Sequence, residues 1–370
     1  MKILKVVILG LVLVIGILGS GCNDSGKKME PENAIIKIGA ILPLTGSLSI
    51  MGEVEKNAMM LAAEEINKPE QRIEILYEDG KGSPKDAVSA ANKLINIDNV
   101  ELLITSTTGA SLAVEPIATA NKKNLIAFCM DPDIAKKSPY VMRYYLGIDE
   151  EAKEINNYFN NNADIKRVGI LYAKVPAFEK VVNNNYIPYI NGLNIDITFV
   201  ESYEIGEKDF RTAVLKMKDE KIDHLILLGY GFEYSNLFSE LQINHLIEKL
   251  KIIGGWGFLY TTVSPNLLED VLVSGPEYVF KNQDLAGVFY QNYYNKYNSY
   301  PNFDAAFAYN VIISIAQNIN KQDLNMPIKE KYFNLKNFSG VVGQYNFTKD
   351  GEMIVSTGLG VFKNGKIISY

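Results

Sequence analysis

Residues 35–67 read IIKIGAILPLTGSLSIMGEVEKNAMMLAAEEIN, and this stretch decides the fold. Ile35–Leu42 is apolar and rich in β-branched residues, which is the composition of a strand. Pro43-Leu44-Thr45-Gly46 supplies a turn. From Glu53 to Asn67 the residues Ala58, Leu61, Ala62, Glu65 and Ile66 fall at helical spacing. Strand, turn and helix in that order open a βαβ unit.

The same alternation continues outward. Arg72–Glu78 reads as a strand, and Ser83-Pro84-Lys85-Asp86 starts a helix, with Ser as cap, Pro in first position and an acid three residues after the cap. Val100–Thr105 is a strand, Ser111–Ala120 a helix and Leu125–Cys129 a strand. A second run then begins. Strands are expected at Val168–Tyr172, Ile195–Val200, His224–Leu228 and Leu250–Ile253, with helices at Glu150–Phe159, Phe178–Ile190, Phe210–Met217 and Tyr234–Leu246. Two helices follow, Leu285–Tyr297 and Ala305–Asn318. The chain ends in strands, and Asn364-Gly365 between the last two is a two-residue hairpin signal. Two successive α/β runs predict two doubly wound lobes with mostly parallel sheets.

Composition narrows the function. The chain has 370 residues, 37 Lys and Arg against 43 Asp and Glu, and a net charge of −6. That balance argues against nucleic acid, which needs clustered basic charge. Two His and two Cys leave no multi-His metal site, no four-Cys zinc site and no disulfide scaffold. No metal or cofactor is expected. Residues 1–22, MKILKVVILGLVLVIGILGSGC, have the layout of an export signal. Lys2 and Lys5 precede an apolar run, small residues follow, and then comes Cys22. The stretch resembles a bacterial lipoprotein signal, with residues 1–21 removed and Cys22 lipidated. An uncleaved membrane anchor is the alternative. Residues 22–33 read as a flexible polar tether.

G-x-S-x-G, H-E-x-x-H and C-x-x-C are all absent, and neither His224 nor His245 has a nucleophile motif beside it, so no enzyme is expected. Ligands of open α/β sheets sit beyond the carboxyl ends of the strands. There the chain places Thr107, Thr108 and Ser111 before a helix, then Met130 and Asp131, Glu233 and Trp256. A helix N-terminus with added hydroxyls suits a small anion such as a carboxylate. An ordinary capped helix fits those residues as well. Asp131 suits an ammonium or a turn; Glu233 has the same two readings. Trp256 suits an apolar ligand or interlobe packing.

Residues 36–67, the segment ILYEDGKGSPKDAVSAANKLI (Ile75–Ile95) and the stretches at Leu102–Phe128, Phe303–Ile312 and Tyr345–Glu352 resemble the leucine/isoleucine/valine-binding protein family. Members are extracytoplasmic solute receptors of branched-chain amino acid ABC transporters. The resemblance implies two doubly wound αβα lobes joined by three crossings, the type I periplasmic-binding-protein-like fold. Lobe one is expected at 34–148 plus 277–338, and lobe two at 149–276 plus 339–370. The family's carboxylate-binding Ser/Thr cluster falls on Thr107–Ser111, and its next ligand loop on Met130 and Asp131. Met51 and Phe178 take apolar wall positions. Trp256 stands where some amino acid receptors have an acid, and Ala177-Phe178 stands for Tyr-Gly. The resemblance implies a monomer that gives a small amino acid or related carboxylate to a permease and is held at the membrane by its lipid. A sensory receptor of the same fold, for an amide or other small organic solute, is the alternative.

Overall fold

The computed structural model describes residues 35–70, 72–281 and 284–370. The expected signal (1–21), Cys22 and the tether (22–33) lie outside the described residues.

The first sheet is built from β1 (Ile36–Leu42), β2 (Ile73–Asp79), β3 (Leu102–Ser106), β4 (Asn124–Phe128) and β5 (Val141–Arg143). Its order is β2-β1-β3-β4-β5, and every pairing is parallel. Its crossover helices are α1 (Ser49–Ile66), α2 (Pro84–Asn96) and α3 (Thr108–Ala120). Buried β1 and β3 residues pack on Ala58, Met59 and Ala62 of α1 on one side, and on Ala91 and Leu94 of α2 on the other. As expected, Pro84 opens α2, and the Ser83 hydroxyl accepts from Asp86 N–H at 3.4 Å.

α4 (Ile148–Asn160) leads into the second lobe. Its strands are β6 (Arg167–Ala173), β7 (Asp196–Tyr203), β8 (His224–Leu228), β9 (Lys251–Gly254) and β10 (Leu272–Pro276), interleaved with α5 (Pro176–Val181), α6 (Ile187–Gly192), α7 (Arg211–Glu220) and α8 (Tyr234–Ile243). The order β7-β6-β8-β9-β10 repeats the winding of the first sheet. α9 (Glu277–Lys281) still packs on β10, whereas α10 (Asp284–Tyr297) and α11 (Phe303–Asn318) return to α1. Next come α12 (Lys329–Asn334) and a small antiparallel sheet of β11 (Phe338–Gly340), β12 (Gly343–Phe347) and β13 (Met353–Val355). β14 (Thr357–Lys363) and β15 (Lys366–Ser369) finish the larger sheet as an antiparallel hairpin. Asn364 and Gly365 turn it with φ of 51° and 74°, which the Asn-Gly pair tolerates.

Three details differ from the expectation. β5 and β10 carry no sequence signal: the first has three residues, and the second reads LVSGP. The expected boundary at 276–277 falls before α9, which still packs on β10 and β14. The boundary expected at 338–339 falls inside β11. Residues 338–355 pack on the first lobe because Tyr345 meets Tyr144, Phe338 stacks on Tyr332, and Val341 N–H donates to Asn310. The last crossing is at Ser356, whose carbonyl accepts from Glu277 N–H at 2.9 Å.

Arg143 ties that small sheet to β5. Its side chain is 1% exposed and pairs with Glu352, while its backbone N–H donates to Gly351 at 2.9 Å. Removing one partner of a buried pair leaves an uncompensated charge. Glu352→Ala is therefore expected to destabilise the protein by about 3 kcal/mol in urea denaturation, while Glu352→Gln loses less.

Candidate functional site

A cavity lies between the lobes at the carboxyl ends of their strands. From the first lobe it is lined by Met51 and Glu55 of α1, by Ser106, Thr107 and Thr108 between β3 and α3, and by Phe128 and Met130 at the end of β4. Tyr145, just after β5, forms part of the floor. The second lobe contributes Tyr230 after β8 and Trp256 after β9. In each lobe the strand order reverses around the first strand, and such switch points are where open α/β sheets bind ligands.

Backbone close approach puts these side chains in place. A Cβ on Gly52 would come within 2.3 Å of the Pro43 carbonyl, so only glycine lets α1 start against the turn after β1 and present Met51 and Glu55 inward. In the second lobe, a Cβ on Gly231 would sit 2.1 Å from the Gly257 carbonyl. The two loops touch backbone to backbone, and their aromatic residues meet edge to face, Tyr230 on Trp256 at 5.8 Å.

The β3–α3 corner of the cavity is under strain. Thr107 has φ 77° and ψ 142°, a conformation that β-branched residues avoid. There its hydroxyl accepts from Ala110 N–H at 3.4 Å and caps α3. The Thr108 hydroxyl accepts from Met130 N–H at 3.1 Å, which fixes the β4 loop against the helix start. Thr107 and Thr108, at the positive end of α3, line the cavity.

Carboxyl groups lie deep beside this corner. Glu55 is 1% exposed; its Oε1 accepts from Ser106 at 2.8 Å, and its Oε2 has no partner. Burial, reinforced by the nearby Asp304 charge, holds its carboxyl well above the usual range. Asp304 of α11 is itself fully buried and accepts from Tyr145 at 2.5 Å and from Tyr260 of the second lobe. Burial pushes it up to about 6 against those two hydroxyls. Behind the aromatic wall, the Glu151 carboxylate of α4 accepts from Trp256 N–H at 2.7 Å. Burial pushes Glu151 up to about 8.

Of the residues singled out in the sequence, Met51, Thr107, Thr108, Met130 and Trp256 line the cavity. Ser111 lies one layer behind, with its hydroxyl bonded to Thr105 at 2.9 Å and to the Thr107 carbonyl at 2.8 Å. Phe178 packs behind Tyr230, its ring 5.9 Å away. Glu233 accepts from Gly206 N–H at 3.0 Å, outside the lining. Asp131 faces Lys180 of the second lobe at 3.3 Å, and Asp133 pairs with the same ammonium. His224 sits between Asp223 and Tyr158, apart from the cavity. Glu55, Ser106, Phe128, Tyr145 and Tyr230 were not singled out. Tyr230 had a signal, because it stands between two glycines at a strand end. Glu55 had a weaker one, lying one helical turn after Met51.

Two similar α/β lobes thus enclose one mixed polar and apolar cavity. Residues 35–350 match the family described as periplasmic binding protein, and the chain belongs to it. It is 30% identical over 236 residues to a Leu/Ile/Val-binding protein of Rhizobium johnstonii, covering 62% of this chain and 63% of that one. The chain thus spans about 63% of the length of this relative. A leucine-specific-binding protein of Salmonella typhimurium is 24% identical over 296 residues, 74% of this chain and 73% of that one. The isoleucine complex of a branched-chain amino acid transporter substrate-binding protein from Streptococcus pneumoniae has the same fold. Its TM-score is 0.76 at 23% identity, over 90% of this chain and 98% of that one. A Rhodopseudomonas palustris solute-binding protein in complex with 3,4-dihydroxybenzoic acid gives 0.80 at 18% identity, over 91% and 96%.

Two expectations follow from this geometry. At Thr107 the backbone strain favours glycine by about 1–3 kcal/mol. Thr107→Gly should therefore exceed Thr107→Ala in unfolding free energy by about 1 kcal/mol, although both lose the cap. An acid raised on folding gives stability that is full below its unfolded value and lost as pH rises through its folded value. For Glu151 that window runs from 4.5 to about 8. Urea denaturation across it should show stability falling with pH, and Glu151→Gln should flatten the fall.

Proposed function

We propose that this protein is an extracytoplasmic solute-binding receptor of an ABC importer. It captures a small amino acid-like ligand, hydrophobic or branched-chain, in the interlobe cavity and presents the closed form to a transporter permease. The observation that carries the reading is a cavity with two faces. A helix N-terminus with Thr107 and Thr108 stands on one side, and Met51, Phe128, Met130, Tyr230 and Trp256 form apolar walls. A carboxylate would take the α3 N–H groups and the Thr108 hydroxyl, and a hydrocarbon side chain would fill the aromatic end. The described residues contain no cluster that could hold a metal and no helix long and apolar enough to cross a membrane. Membrane attachment is assigned to lipidated Cys22 on sequence grounds. The four rings at the cavity make an aromatic carboxylate the second reading.

Thermal denaturation against hydrophobic amino acids, aromatic carboxylates, amides and polyols tests both. A ligand at a hundred times its Kd stabilises the protein by about 2.7 kcal/mol, which raises Tm by several degrees. Thr108→Val is expected to weaken the ligand about tenfold, and Thr108→Ser to keep its affinity. Unchanged affinity in Thr108→Val would remove the carboxylate from this corner.

A further inference from the structure

We propose that Glu55 is the cation subsite of the cavity, so that the receptor selects a zwitterionic α-amino acid over a plain carboxylate. This rests on the receptor reading above and names the group that sets its specificity.

Glu55 is the only lining residue, among the described residues, that carries an ionisable carboxyl or amine. It is 1% exposed, and Oε2 has no hydrogen-bond partner. A buried acceptor left in that state loses its hydration without replacement. A ligand nitrogen within the cavity supplies the missing donors. The neighbouring contacts fit such a donor. Ser106 satisfies only Oε1, at 2.8 Å. Asp304 adds a second negative charge from α11, held in place by Tyr145 and Tyr260. Among the described residues, no Lys, Arg or His lines the cavity to neutralise these acids.

Placement decides the ligand class. Ser106 binds Glu55, and the next residues are Thr107 and Thr108 at the start of α3. An acidic group and an anion-binding helix end are therefore adjacent, as the ammonium and carboxylate of an α-amino acid are. The second lobe offers only Tyr230 and Trp256 to the cavity, so the cation is held from the first lobe alone. The raised carboxyl of Glu55 adds a consequence. An ammonium favours the ionised form, so binding releases a proton, and affinity rises with pH up to the value of the unliganded protein.

The test compares leucine, isoleucine, valine and phenylalanine with their des-amino carboxylic acids by titration calorimetry. The parent protein should prefer the amino form, and Glu55→Gln should cut that preference about 10- to 100-fold while leaving the des-amino affinity unchanged or higher. Thr108→Val should weaken both forms equally. If Thr108→Val weakens both while Glu55→Gln keeps the amino preference, the cation assignment fails and the receptor reading stands. A parent protein that prefers the des-amino form also overturns the assignment. If no ligand of either kind binds, the amino acid reading falls, and this assignment with it. Should Glu55→Gln not fold, Glu55→Asp withdraws the carboxylate by one methylene and should likewise lower the preference.

Discussion

Parallel strands cannot be joined by tight hairpins; each needs a crossover, here usually a helix, before the next can enter the same sheet. Every strand of the first sheet therefore leaves at the same edge, and so do β6 to β10 of the second. That constraint gathers the turn after β1, the β3–α3 corner and the β4 loop at one lip, and the β8 and β9 loops at the other. The cavity is the space these two edges enclose.

The second consequence concerns charge. A protein interior tolerates ionisable groups poorly unless each has partners. Glu55, Asp304, Glu151 and Arg143 are all removed from water close to where the lobes meet. Arg143 has Glu352, Asp304 has two tyrosine hydroxyls, and Glu151 holds the backbone of Trp256. Glu55 keeps Oε2 unmatched, as Glu151 keeps Oε1 and Arg143 keeps Nε and Nη1. Of the four, Glu55 alone lines the cavity, where a ligand could reach it.

The fold was legible in the sequence because its periodicities are strong. Ile35–Leu42, the capped start at Ser83 and the Asn364-Gly365 turn each form what their residues specify. β10 was illegible because Gly275 and Pro276 mask a strand that tertiary pairing imposes. The site was half legible. Thr107, Thr108, Met130 and Trp256 stand at strand ends, where position alone marks them. Glu55 does not, since a single Glu in a helix looks like surface until packing shows which side is buried. Ser111 looks like a ligand hydroxyl in sequence, yet it is satisfied by Thr105 and the Thr107 carbonyl. Counting donors and acceptors requires coordinates.

Closure links these parts. Lys180 reaches from the second lobe to Asp131 and Asp133 of the first, and Tyr260 reaches Asp304 beneath the cavity. The lysine contact is half-exposed and, like surface ion pairs generally, contributes little, about 0–1 kcal/mol. It aligns the closed lobes without locking them. A ligand shifts the equilibrium only by the contacts it makes in the closed form and lacks in the open one. On the proposed reading, the first lobe would hold the polar head in either form, so those contacts would add no preference for closure. Tyr230 and Trp256 of the second lobe would meet the ligand only when the lobes close. The aromatic wall of the second lobe would then be what converts binding into closure.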